Sequence, residues 1–216
     1  MKIVEPTLQT GPDFFNSIWK KQTWLNVAYL FLSFPLGLLY FVLLITGISL
    51  GFGLLITVFG IFILMAVLVM VHWLARFEAK FTTAMLGFHI FLKPREREAR
   101  GFWNRFREIL RSSLTWKGLV FLFLRFPLGI FSFSLTIGLL SASLGLIAVP
   151  FLYRYPWFEI DWPSNYFWVI DTVPETLVVA LIGVILLFTS LYILNLLAWV
   201  YGKIAQAFLS DTGMTQ

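Results

Sequence analysis

The side chains of this chain that can do chemistry are few, and most stand in apolar surroundings. Arg125 lies about two turns inside the apolar run from Leu119 to Val149. A charge within a membrane span is costly and is usually functional or paired. Glu78 should lie at a similar level and is a candidate partner, although a guanidinium at this depth can also snorkel to the headgroups. His72 stands near the end of an earlier apolar run, as a pH-sensitive group or a structural interface histidine. Asn195, inside the last run, has the character of an interhelical hydrogen-bonding residue. No His or carboxylate set has metal-site spacing. No phosphate loop, zinc-protease motif, nucleophile elbow or dinucleotide fingerprint occurs. Enzymatic activity, a cofactor and a metal are therefore not expected.

A second group of reactive side chains is concentrated in one segment, YRYPWFEIDWPSNYFWVID, residues 153–171. Tyr155, Trp157, Trp162 and Trp168 surround Glu159 and Asp161. Aromatic faces beside carboxylates suit cations, so this loop could cap a ligand or contact a partner. Aromatic residues also gather at membrane interfaces simply as anchors.

What positions these residues is a set of membrane helices. The 216 residues are 59% hydrophobic and 12% charged, about half the charge of a soluble domain. Residues 25–74 are almost wholly apolar, and fifty residues of helix would far exceed a hydrocarbon core of about 30 Å. The run must turn, and the small residues Gly47, Ser49, Gly51 and Gly53 mark the place. Helices are predicted over about 25–47 and 53–75, the second continuing as an amphipathic interfacial stretch to Lys93-Pro94. A third apolar run, 119–149, carries a candidate break at Gly138–Gly145. A fourth helix is predicted over about 175–201. Between the second and third, residues 95–113 alternate Arg and Glu with Phe102, Trp103, Phe106, Ile109 and Leu110. That pattern fits a helix lying on the membrane surface or packed on its own protein.

The chain is internally duplicated. Thr23-Trp24 opens TWLNVAYLFLSFPLGLLYF and Thr115-Trp116 opens TWKGLVFLFLRFPLGIFSF, an offset of 92 residues with 15 identities over 23–57 against 115–149. Repeat 1 covers about 14–92 and repeat 2 about 115–210, the latter holding the 151–174 loop, all within one membrane domain. Arg125 stands where repeat 1 has Ser33. Pro35 and Pro127 each remove a backbone donor within their helix, as a hinge or as a static bend. Ten of the sixteen Lys and Arg lie between Arg76 and Lys117. Lys20, Lys21 and Lys203 flank the other runs on the same side. By the positive-inside rule both termini are cytoplasmic and the 151–174 loop is outside, in the cell membrane. The expected fold is all-α: four transmembrane helices as two parallel-repeat hairpins, related by an axis along the membrane normal, with amphipathic interfacial helices.

The duplicated pattern TW-x(5)-L-x-L-x-FPLG, followed by a Gly/Ser break and a second span, resembles the putative sensor domain family of prokaryotic membrane proteins. Thr23, Trp24, Pro35, Gly37 and their counterparts Thr115, Trp116, Pro127 and Gly129 carry the resemblance over about 20–210. It implies a four-helix membrane module, often fused to histidine kinases, with no catalytic residues to carry over. Six residues follow Ser210, so a signal is expected to pass to a separate protein.

The expected function is a membrane sensor or signalling accessory. It would recognise a lipid, amphiphile or membrane partner and relay to a separate kinase, regulator or other membrane protein. A small oligomeric transporter and a structural scaffold are the competing readings. The bilayer and further copies of the chain are expected partners. Specific nucleic-acid binding is not expected, because the basic residues flank spans.

Overall fold

The computed structural model describes residues 21–88, 90, 113–152 and 173–210. The 153–171 loop, with Tyr155, Trp157, Glu159, Asp161, Trp162 and Trp168, and the basic segment 95–112 lie outside the described residues. Four helices make up the fold: α1 Lys21–Gly53, α2 Val58–Leu86, α3 Ser113–Leu152 and α4 Val173–Leu209. All four are long and apolar enough to cross a membrane, as the expected all-α membrane class requires. Among the described residues there is no strand.

The helices are longer than the apolar pattern suggested. α1 has 33 residues and α3 has 40, so they run for about 50 and 60 Å. The expected break at Gly47–Gly53 falls inside α1, where Gly47 and Gly51 instead face Val67 and Leu64 of α2. The chain turns only at residues 54–57. There the Leu54 carbonyl accepts the Thr57 amide at 2.9 Å and the Thr57 hydroxyl at 2.8 Å. The expected break at Gly138–Gly145 is also absent, and α3 is helical throughout. Small residues there serve contact, because Ser143 meets Ser190 of α4 at 3.2 Å. A glycine or serine inside a membrane helix more often admits a neighbour than stops the helix. α2 ends at Gly87, whose φ of 73° makes a left-handed cap, not at Lys93-Pro94. Its last turns bury Ala79, Thr82 and Leu86 on one face and expose Phe77 and Lys80 on the other.

The two repeats meet where α1 crosses α3, and the crossing is reciprocal. A Cβ added at Gly37 would stand 2.7 Å from the Arg125 carbonyl oxygen, and one added at Gly129 would stand 2.7 Å from that of Ser33. Those four positions are two pairs of repeat equivalents, exchanged. Aromatic contacts follow the same rule. Phe41 packs on Phe123 and Phe126, and its equivalent Phe133 packs on Phe31 and Phe34. The hairpins are thus related by a pseudo-two-fold axis through the FPLG segments.

The two hairpins do not pack in the parallel sense expected from the repeat. Parallel hairpins standing side by side would pair residues whose numbers rise together. Instead 41 meets 123 and 126, 37 meets 125, 33 meets 129 and 31 meets 133. The contacting stretches of α1 and α3 run in opposing senses. In this packing each glycine accepts the partner's backbone one turn before the partner's own glycine.

Candidate functional site

Among the described residues, the buried charges are Glu78 and Arg125, which meet in one cluster at the α1/α3 crossing. Arg125 of α3 and Glu78 of α2 are buried, at 1% and 0% exposure, with Arg125 Nη2 2.7 Å from Glu78 Oε1. Arg125 therefore does not snorkel; it turns inward to a carboxylate. Two tyrosines of α1 complete the cluster. Arg125 Nη1 donates to the Tyr29 hydroxyl at 2.7 Å, and the Tyr40 hydroxyl donates to Glu78 Oε2 at 2.9 Å. Tyr29 also lies 3.2 Å from the Thr82 hydroxyl and at a long 3.5 Å from Glu78 Oε1. From α4, the Tyr201 ring lies 5.9 Å from the guanidinium carbon, and the Tyr29 ring lies 4.7 Å from it. The Tyr201 hydroxyl donates to the Leu128 carbonyl. All four helices thus converge on one arginine.

The Glu78–Arg125 contact is an ion pair by distance, yet its hydrogen bonding is incomplete. Among the described residues, Arg125 Nε and Nη2 have no acceptor in line. A buried pair of this kind gains Coulomb energy but loses much of it to desolvation. Its main effect is to fix one arrangement of α2 against α3, since any other would leave a bare charge in the bundle. The cluster occupies only one half of the pseudo-two-fold. Where Arg125, Tyr29 and Tyr40 stand, the other repeat has Ser33, Phe121 and Ser132. Ser33 and Ser132 satisfy themselves on backbone carbonyls, Ser33 on Tyr29 and Ser132 on Gly129.

The other two polar candidates form a matched pair away from the centre. His72 Nδ1 lies 3.4 Å from the Thr115 hydroxyl, and Asn195 Nδ2 lies 3.4 Å from that of Thr23. Thr23 and Thr115 are the threonines of the repeated Thr-Trp. Each opens one hairpin and meets a polar side chain from the other hairpin. Asn195 also accepts from Asn26 Nδ2 at 3.0 Å, and Gln22 continues this ladder to Asn26 at 2.9 Å. Replacing Asn195 with alanine removes both contacts. It should lower stability by about 1 kcal/mol, the scale of interhelical hydrogen bonds in membranes, measured by denaturant unfolding in micelles.

Of the sequence-derived candidates, Arg125 and Glu78 come together, while His72 and Asn195 stand apart as symmetric clasps. α1 and α3 stay helical through Pro35 and Pro127, two residues before the crossing glycines. Tyr29, Tyr40, Thr82 and Tyr201 were not singled out from the sequence. A signal for two of them existed: Tyr29 and Tyr40 are hydroxyl-bearing positions at which the repeats differ, as Ser33 and Arg125 do.

No curated protein and no solved structure matches the chain. A family model described as Putative sensor matches residues 29–209, a span holding the Arg125–Glu78 cluster, both crossing glycines and most of all four helices. The chain belongs to the Putative sensor family.

Proposed function

We propose that this membrane protein recognises a lipid, an amphiphile or a membrane partner and relays that state to a separate cytoplasmic output protein. It acts without catalysing a reaction. The supporting observation is the buried charge cluster in which Arg125 ties α3 to α2, α1 and α4. A relay needs an element with two discrete arrangements that a signal can bias. Two duplicated hairpins meeting at paired glycines, held in one register by one ion pair, are suited to that.

The basic charge of Lys20, Lys21, residues 93–111 and Lys203 favours the cytoplasmic side of the cell membrane for both termini, whereas the opposing senses of α1 and α3 set the starts of the two hairpins at opposite ends of the bundle. Cysteine labelling of the two termini in intact cells decides between the two arrangements. Helices of about 50–60 Å must tilt within a core of about 30 Å.

Crosslinking in native membranes followed by mass spectrometry tests the relay. The expected result is a cytoplasmic regulatory protein whose crosslink yield changes severalfold when Arg125→Gln breaks the ion pair. An unchanged yield would remove the relay. Solute flux in proteoliposomes that Arg125→Gln abolishes would replace it with transport.

A further inference from the structure

Between α1 and α3, on the side facing the bilayer, the two helices leave a groove of about 360 Å³. This lies within the size range of small-ligand pockets, roughly 300–1,000 Å³. Its walls include Trp24, Ala28 and Phe31 from α1 and Ile137, Leu140 and Ser141 from α3. Trp24 and Phe31 are 55% and 48% exposed, so the groove is open. Along a helix, positions 21, 24, 28 and 31 fall on one stripe. Lys21, exposed at the start of α1, therefore heads the stripe that lines the groove. The order along it is an ammonium, an indole and then apolar wall. An indole of this kind favours headgroup level, and a basic residue there attracts anionic lipid.

We propose that this groove binds one anionic glycerophospholipid, with an acyl chain between Ala28 and Leu140 and the phosphate at Lys21. The apolar wall matches the chain, and Lys21 complements the headgroup charge. Thr136 and Ser141 are the hydroxyl residues of the wall, and the Thr136 hydroxyl donates to the Ser132 carbonyl at 2.7 Å. The inference deepens the sensing reading by naming its ligand, and lipid occupancy is measured whether or not a relay follows from it. If occupancy is found and the crosslink yield does not respond to Arg125→Gln, the relay fails and the lipid site stands.

The test is native mass spectrometry of the full chain released from nanodiscs of phosphatidylglycerol, phosphatidylcholine or an equal mixture. From the mixture, the wild-type chain should retain phosphatidylglycerol over phosphatidylcholine by about fivefold, the effect of one basic residue near an anionic surface. Lys21→Gln, at an exposed position, should abolish that preference and keep total occupancy. Ala28→Phe fills the groove and should lower total occupancy severalfold. Val120→Phe, at the repeat equivalent of Ala28 and itself exposed, should leave occupancy unchanged. Equal retention of the two lipids by wild type, or undiminished occupancy in Ala28→Phe, would overturn the proposal. So would a headgroup preference that survives Lys21→Gln.

Discussion

Arg125→Ala should destabilise the bundle by about 3–5 kcal/mol, because it strands Glu78 as an unpaired buried carboxylate. The carboxylate would keep the Tyr40 hydroxyl at 2.9 Å and lose its cation. Glu78→Ala should cost a similar amount, since a guanidinium buried to 1% exposure would then lack its counter-charge. The double variant separates the cost of breaking the pair from the worth of having it. Arg125→Met with Glu78→Gln removes both charges, roughly keeps volume and leaves the amide oxygen for Tyr40 to bond. This chain should return to within about 1 kcal/mol of wild type, since neutral isosteres of buried ion pairs are often neutral or stabilising. Reversible denaturant unfolding in micelles gives all three values. Single-variant losses below about 1 kcal/mol would show that water reaches the cluster and screens it.

The second large effect is at the crossing. Gly37→Val and Gly129→Val should each cost about 3 kcal/mol, the upper end for overpacking. The colliding atoms are backbone, with the Arg125 and Ser33 carbonyl oxygens 2.7 Å from the added Cβ. A side chain could rotate away, but a helix backbone must translate, and that movement also parts Phe41 from Phe126 and Phe133 from Phe34. Gly138→Val is the matched control. It lies in the same α3, with no atom within 4 Å of the place a Cβ would take, and should be near neutral. Equal losses at Gly37 and Gly138 would mean that valine harms these helices generally and that the crossing is not special.

The membrane class, the number of spans and the duplication were legible in the sequence because each rests on local composition or on like residues at a fixed offset. The partnership of Arg125 with Glu78 was also within reach, since a lone charge in an apolar run has few favourable positions. Helix ends were less legible. Gly47, Gly51, Gly138 and Gly145 have the residue type of a break, yet all four lie inside helices: Gly47 and Gly51 admit Val67 and Leu64, while Gly138 and Gly145 have no atom within 4 Å of the place a Cβ would take. Whether a glycine admits a neighbour depends on what stands opposite. The Tyr40–Glu78 bond and the His72–Thr115 and Asn195–Thr23 clasps were hidden for the same reason. They join residues 38 to 172 positions apart, and no local pattern encodes such pairs.

By itself, then, the sequence determined that the protein is two copies of an apolar hairpin, each opened by Thr-Trp and carrying FPLG, with one arginine breaking their equivalence. Only the tertiary structure decided how the copies meet. Identical glycine-bearing surfaces can pack in either sense, because the gap left by a missing side chain has no direction of its own. The choice rests on contacts between residues far apart in the chain: in the sense adopted, Arg125 meets Glu78 of α2 and Tyr29 of α1 inside the bundle, and no local pattern encodes those distances.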